Sequence, residues 1–143
     1  YPEYHPQSKS PEDDLANFVR KIKAGASSAI TQYFYNSDAY FRFVDSADAM
    51  GCSVPVVPGI MPITNYAQLA RFSEACGAEI RRWIRRRLES FGDVGESIRA
   101  FGLDVVTDLC EQLLVAGAPG LHFYTMNQAE PTLALWQRLD LQR

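Results

Sequence analysis

The sequence predicts an α/β fold in a single domain, and three observations lead to that prediction. Short apolar stretches alternate with amphipathic ones along the chain, which is the pattern of βα units around a parallel sheet. No internal repeat or low-complexity segment interrupts this alternation. The length of 143 residues, with 47% hydrophobic and 22% charged residues, is typical of one globular domain with a core of its own.

The first helix is predicted to begin after the loop-like residues 1–10. Ser10 is a suitable N-cap, Pro11 suits the first helical position, and acidic residues follow in the first turn. Apolar residues then recur with the spacing of one helical face: Leu15, Phe18, Val19 and Ile22. Gly25 is expected to end this helix.

The first strand is predicted within residues 28–36, which read SAITQYFYN. Its apolar members, expected to be buried, are Ala29, Ile30, Tyr33 and Phe34. Gln32 lies in the middle of them, and a buried amide without a hydrogen bond costs about 1–3 kcal/mol. Two interpretations stay open: Gln32 is hydrogen-bonded within the core, or it faces a ligand near the end of a strand.

The second helix and the second strand follow directly. Residues 36–38 read Asn-Ser-Asp and begin a helix, which Gly51 is expected to end. Residues 54–57 are predicted to form a short strand that runs into the turn-like segment 58–62.

Three helices are predicted between the second strand and the third. Thr64 and Asn65 are suitable caps for the first of these, which ends near Gly77. A basic helix is predicted over about 79–91 and a longer helix over about 94–116.

The last predicted elements are a strand and a helix. Residues 121–126 are predicted to form the third strand. In the long helix before it, Gly102 is a candidate for a kink. Asn127 is the expected N-cap of a final helix, although its position after a strand also allows contact with a ligand. Because three strands make a poor parallel sheet by themselves, this unit is expected to need further cover.

Charge and composition exclude several classes of function. A net charge of -3 gives no general attraction to nucleic acid or to anionic membranes, and no apolar run approaches the length of a membrane span. The three cysteines have no metal-ligand spacing, so we expect reduced thiols in a cytoplasmic protein and no metal. Dinucleotide, P-loop, serine-hydrolase and zinc-protease motifs are all missing from the sequence.

Candidate ligand-binding residues follow from the strands, because ligands gather at the carboxyl ends of parallel strands. This rule selects Gln32, segment 58–62, Thr125, Asn127 and Gln128, and His5 in the first loop could reach the same rim. His122, inside a strand, is interpreted as a packed side chain rather than a catalyst.

Two patterns on helices have both a structural and a functional interpretation. Gln68 and Phe72 share one helix face, which suits a flat heteroaromatic ligand but also plain helix packing. Five arginines lie within residues 81–87, and they are interpreted as a solvated face that could include a subunit contact, rather than as a nucleic-acid surface.

Four stretches give the chain a family resemblance. They occur in the order YPEYHPQSKS, AITQYFY, VPGIMPITNYAQLARF and HFYTMNQAE. Together they resemble the methylenetetrahydrofolate reductases, the MetF-type flavoenzymes of one-carbon metabolism, over essentially the whole chain.

The resemblance implies a fold and a reaction. The fold would be a partial (β/α)8 TIM barrel, roughly strands 6–8 with their helices, with FAD at the carboxyl ends of the strands. The reaction would be the reduction of 5,10-methylenetetrahydrofolate to 5-methyltetrahydrofolate. NADH or NADPH would reduce the flavin and leave before folate takes its place on the same flavin face.

The resemblance also implies roles for particular residues. The residues that would contact FAD are Tyr1, His5, Asp14, Asn17, Arg20 and Lys21. The residues that would contact the folate are Gln32, whose amide would pair with the pterin, Gln68, Phe72 and Gln128. Gln128 stands where some family members carry an arginine for the glutamate tail of folate, so a hydrogen bond to the tail is implied here in place of a salt bridge.

The resemblance locates the catalytic glutamate before the segment that matches Tyr1. No catalytic residue is therefore expected in this chain, which we interpret as the C-terminal part of the barrel with the N-terminal half absent. We expect the isolated chain to be inactive, and to form a homo-oligomer or to require the missing half. The alternatives are a non-catalytic half-barrel module and, against its charge, a nucleic-acid binder.

Overall fold

The structure is a computed structural model and describes residues 1–141. Helices and strands follow in the order α1 (Pro11–Lys23), β1 (Ala29–Tyr33), α2 (Ser37–Ala49), β2 (Val56–Ile60), α3 (Tyr66–Cys76), α4 (Arg82–Ser90), α5 (Gly95–Val115), β3 (His122–Phe123) and α6 (Ala129–Arg138). The predicted alternation of strands and helices is confirmed, and the fold is mixed α/β with a small parallel sheet.

The three strands form one sheet in the order β1-β2-β3, and both neighbouring pairs are parallel. Between β1 and β2 the register changes, because the partners advance from Ile30 to Tyr33 on β1 but only from Val57 to Gly59 on β2. The Thr31 hydroxyl fills this bulge by accepting a 2.9 Å hydrogen bond from the Gly59 N–H. A threonine side chain thus replaces one backbone acceptor of the ladder.

The third strand is shorter than the predicted 121–126. Its pairing with β2 continues only to a 2.8 Å bond from the Tyr124 N–H to the Ile60 carbonyl. Met126 and Asn127 then have φ angles of 49° and 64°, in the left-handed region that an extended strand cannot use. The chain therefore turns out of the sheet at this point.

The main core lies between the sheet and the helices that cover one of its faces. Its fully buried side chains include Phe34, Ile60, Ile84, Leu88, Leu113 and Leu135. The helix α5 packs very closely on the β2–α3 loop, since a Cβ on Gly102 would lie 2.3 Å from the Ile63 carbonyl oxygen. Gly102 therefore serves this close approach, and α5 runs as one helix through this candidate kink position.

The predicted helix caps are largely confirmed. The Ser10 hydroxyl accepts a bond from the Asp13 N–H, and the Asn65 side chain accepts one from the Gln68 N–H. Gly77 ends α3 in the left-handed conformation. Asn36 occupies the N-cap position of α2, but its side chain makes no capping bond.

Three predicted boundaries were wrong. The strand β2 covers Val56–Ile60 rather than 54–57, because Pro55 contributes only a carbonyl, which accepts from the Ala29 N–H. The helix α4 begins at Arg82 rather than near residue 79. Asn127 is not an N-cap, because α6 begins one residue later and Gln128 holds that position.

The burial expected for Ile30 was also wrong, since its side chain is 55% exposed. Its register partner Val57 is only half-buried, whereas Val56 and Ile60 on the other sheet face are buried. Within residues 1–141, one face of the sheet is therefore covered by helices and the other is open. No helix of this part is both long and apolar enough to cross a membrane.

Candidate functional site

A small, open cleft with a cavity volume of about 30 Å³ lies at the carboxyl ends of β2 and β3, beside the start of α3. Its lining comes from the β2–α3 loop, α3, the segment after β3 and the start of α6: Met61, Pro62, Thr64, Asn65, Gln68, Leu69, Phe72, Tyr124, Thr125, Met126, Gln128 and Pro131. The predicted rim of the sheet is thus a real concave surface.

Three of the four predicted substrate contacts meet in this cleft. Gln68 and Phe72 are one helical turn apart on α3, and Gln128 lies on the opposite wall before α6. Leu69 is buried and anchors α3, and the guanidinium of Arg71 lies 5.7 Å from the centre of the Phe72 ring. These three predicted contacts therefore offer two amides and one aromatic ring to a ligand.

Tyr124 is a cleft residue that the sequence analysis did not identify. Its hydroxyl donates a 2.8 Å hydrogen bond to the Thr31 carbonyl, and burial raises its pKa, so the phenol stays protonated. The ring can cross β2 only because Gly59 has no side chain, since a Cβ there would lie 2.7 Å from the ring. Its position at the end of β3 is the sequence signal that could have identified it.

Gln32 does not line the cleft, although Thr31 beside it receives the Tyr124 bond. Its side-chain oxygen accepts a 3.0 Å bond from the Tyr33 N–H, so the amide oxygen is used locally. Among residues 1–141 the amide nitrogen has no hydrogen-bond partner. The amide oxygen of Gln32 is therefore hydrogen-bonded within the fold, and the ligand role of Gln32 stays a prediction.

The other candidates at the carboxyl ends of the strands differ in whether they line the cleft. Thr125 lines the cleft, whereas Asn127 does not. His122 is half-buried with its ring 4.9 Å from that of Tyr124, which agrees with a packed histidine.

A second, larger cavity continues the cleft between α3, α5 and α6. It shares six lining residues with the cleft, which are Pro62, Thr64, Asn65, Gln68, Gln128 and Pro131. Its volume is about 1020 Å³, and its charged lining residues are Arg99 and Glu130. A ligand longer than the cleft therefore has space in which to extend.

The predicted flavin contacts gather around α1 and the loop before it. The His5 N–H donates a 2.7 Å bond to Asp14, and the rings of Tyr1 and His5 lie 4.4 Å apart. Asp14 and Lys21 both lie close to the backbone of Tyr1. These four residues are therefore neighbours.

Asn17, Arg20 and Lys21 are exposed on α1, so their polar groups face solvent. In the described part of the chain, no carboxylate is within ion-pair distance of either cation. Asp14 differs from these exposed residues, because one of its two carboxylate oxygens accepts the His5 N–H bond and so holds the loop before α1 in place.

The cysteines form no reactive or metal-binding centre in this part of the chain. Cys52, Cys76 and Cys110 are all free thiols, and burial raises the pKa of Cys110 to about 12. Cys76 donates a weak 3.5 Å bond to the Tyr33 hydroxyl. Within residues 1–141, no three metal-ligating side chains come together.

Comparison with known proteins identifies relatives along nearly the whole chain. A family model described as "Methylenetetrahydrofolate reductase" matches residues 1–140. A 5,10-methylenetetrahydrofolate reductase of Escherichia coli is 36% identical over 141 residues, which is 99% of this chain and 48% of that protein. A probable methylenetetrahydrofolate reductase (NADH) of Oryza sativa is 37% identical over 150 residues, with 99% and 25% covered.

One solved structure resembles the fold. It is an uncharacterized protein from Clostridium thermocellum, described as binding two copies of 5-methyl-5,6,7,8-tetrahydrofolic acid. The TM-score is 0.59 at 20% sequence identity, over 90% of this chain and 48% of that one. This chain spans about half the length of the bacterial relatives that it matches.

Proposed function

This chain belongs to the methylenetetrahydrofolate reductase family, and from this we propose that it supplies the folate cleft and part of the flavin site of such an enzyme. The reaction would be the reduction of 5,10-methylenetetrahydrofolate to 5-methyltetrahydrofolate. In this proposal the three strands are roughly strands 6–8 of a (β/α)8 barrel, and residues 1–143 are the C-terminal part of that barrel.

The convergence of Gln68, Phe72 and Gln128 in one cleft carries the proposal. A pterin is flat and has hydrogen-bond donors and acceptors along its edge, so an aromatic ring and side-chain amides suit it. The cleft also lies at the carboxyl ends of parallel strands, where ligands bind in such folds. The folate ligand of the Clostridium thermocellum protein supports the same class of substrate.

Gln32 completes the proposed substrate contacts. Its amide oxygen is held by the Tyr33 N–H, which fixes the plane of the amide and leaves its nitrogen to donate. The nitrogen would meet an acceptor on the pterin edge. Gln128, which is neutral, would hydrogen-bond the glutamate tail of folate without forming an ion pair.

The residues around α1 fit one side of an FAD molecule. Arg20 and Lys21 are unpaired cations in the described part of the chain and suit the diphosphate, and Asn17 is an exposed amide beside them. Asp14 has one oxygen left for a hydroxyl of the cofactor, while its other oxygen positions His5. When bound, the flavin would supply the hydride chemistry, with NADH or NADPH as its reductant.

The proposal assigns no catalytic residue to this chain. The proton donor would come from the N-terminal half of the barrel, and a homo-oligomer or that half would cover the open sheet face around Ile30. The chain alone is then expected to bind ligands without turnover.

Binding of 5-methyltetrahydrofolate tests the proposal directly. We expect saturable binding to the purified chain, weakened roughly tenfold in Gln68→Ala through the lost hydrogen bond. Glu74→Ala is the matched control, because Glu74 is exposed on the same helix and does not line the cleft. Equal affinity in both variants would contradict the assignment of the cleft.

A further inference from the structure

A further pocket lies away from the folate cleft and its continuation, where the N-termini of α2 and α4 meet. Its volume is about 480 Å³, and its lining is Asn36, Glu79, Arg81, Arg82, Trp83 and Arg86. We call it the arginine pocket. It shares no lining residue with the folate cleft and includes none of the proposed flavin contacts.

The arginines of this region divide into two groups. Arg87 stacks on the Phe91 ring at 4.9 Å, and Arg85 lies beside the Tyr66 hydroxyl, which donates to Glu89. The remaining three, Arg81, Arg82 and Arg86, line the pocket. None of them forms an ion pair within residues 1–141, where the ion pair found joins Arg138 and Asp104. The arginines of the pocket are therefore not neutralised in this part of the chain.

The charges in the pocket repel one another. Arg82 and Arg86 are four residues apart on α4, so their side chains share a face, where like charges destabilise a helix. Glu79 is the one acidic residue of the lining, against three arginines. An anion in the pocket would relieve this repulsion. A phosphate suits this role, because one guanidinium group can donate two parallel hydrogen bonds to two phosphate oxygens.

Asn36 adds an unused acceptor to the pocket. It occupies the N-cap position of α2 without making the capping bond, and its Oδ1 is buried without a hydrogen-bond partner in the described residues. A buried acceptor of this kind needs a donor. A ligand that carries an N–H group beside its anionic part would satisfy it.

Trp83 gives the pocket an aromatic wall. Its ring meets Phe101 at a right angle, with the centroids 6.0 Å apart, and 52% of the residue remains exposed. A large exposed indole next to cations is a platform on which a nucleobase can stack.

We propose that the arginine pocket binds a purine nucleotide, a function separate from the folate cleft. The phosphates bind Arg81, Arg82 and Arg86, the base stacks on Trp83, and an amino group of the base donates to Asn36 Oδ1. A small nucleotide is favoured over a nucleic-acid strand because three arginines line one pocket, whereas the chain as a whole has a net charge of -3.

Titration with ADP, followed by tryptophan fluorescence, tests the proposal. The chain has two tryptophans, so a Trp136→Phe background leaves Trp83 as the reporter. We expect saturable quenching by ADP, with roughly tenfold weaker binding in Arg86→Gln. Arg87→Gln is the matched control, since it removes the same charge from the same helix outside the pocket. Pyrophosphate is expected to bind more weakly than ADP.

Several results would overturn the proposal. It would be overturned by an absence of quenching, by an equal loss of ADP affinity in Arg86→Gln and Arg87→Gln, or by equal affinities for pyrophosphate and ADP. Binding that is lost in Lys21→Gln but kept in Arg86→Gln would locate ADP in the proposed flavin site instead. Tighter binding of a single-stranded oligonucleotide than of ADP would favour nucleic acid. Thermal melts of each variant establish that it is folded.

Discussion

The Tyr124 hydroxyl donates a 2.8 Å hydrogen bond to the Thr31 carbonyl, across the strand that lies between them. This bond joins the cleft to the bulge in β1, because Thr31 also accepts from Gly59 on the middle strand. One wall of the cleft is therefore fixed by the sheet itself. Gln32 follows Thr31, so the same contact restrains the backbone of a proposed pterin-binding residue.

We expect Gly59→Ala to be strongly destabilising. The added Cβ would lie 2.3 Å from the Thr31 carbonyl oxygen and 2.7 Å from the Tyr124 ring, and neither group can move freely. The expected loss in the free energy of unfolding is about 3 kcal/mol, measured by urea denaturation. Gly120→Ala is the control, because no atom lies within 4 Å of its Cβ. Similar stabilities for the two variants would refute the packing argument.

The Tyr124→Phe variant should lose about 1 kcal/mol in the free energy of unfolding, because only the bond to Thr31 is removed. The control is Tyr4→Phe. Because Tyr4 is 48% exposed, this substitution is expected to change the free energy of unfolding little. Urea denaturation of both variants measures the difference. An unchanged stability in Tyr124→Phe would mean that the bond does not hold the wall of the cleft.

Stability should fall at alkaline pH because of Tyr35. Burial raises its pKa well above the ordinary value of 10.0, and its hydroxyl donates to the Met61 carbonyl. The unfolded chain then loses this proton at a lower pH than the folded chain, so the stabilisation is complete below pH 10 and decreases as pH rises beyond it.

Urea denaturation between pH 8 and about 11 measures this effect. Because Tyr35→Phe lacks the titrating group, its stability should fall less steeply above pH 10 than that of the parent chain. Parallel curves for the two proteins would show that Tyr35 does not contribute.

Binding of FAD should depend on Lys21 and not on Lys23. Both lysines are exposed on α1, but only Lys21 lies in the cluster with Tyr1 and Asp14. Quenching of FAD fluorescence by the chain should weaken roughly tenfold in Lys21→Ala, through the loss of a charge-assisted bond to phosphate. An equal loss in Lys23→Ala would indicate general charge attraction instead of a site.

Much of the fold follows from local signals in the sequence. The caps at Ser10 and Asn65 and the glycine at position 77 are local features, and they predicted helix ends that the structure confirms. The end of β3 was not predictable in the same way. Met126 and Asn127 both adopt positive φ angles; asparagine tolerates this conformation, but methionine gives no local sign that the strand ends there.

The site was only partly predictable, because its geometry depends on contacts between distant segments. Spacing placed Gln68 and Phe72 on one face, but nothing local brings Gln128 opposite them. The role of Gly59 depends on a tyrosine 65 positions later in the chain, so neither residue reveals it alone. The exposure of Ile30 likewise depends on which sheet face the helices cover.

The most direct test is an amide NMR spectrum of the chain with and without 5-methyltetrahydrofolate. We expect the amide chemical-shift changes to concentrate in residues 64–72 and 124–128, which form the walls of the cleft. The shifts of residues 81–87, at the arginine pocket, should stay unchanged. Shifts confined to other parts of the chain, or an unchanged spectrum at saturating ligand, would contradict the assignment of this cleft to folate.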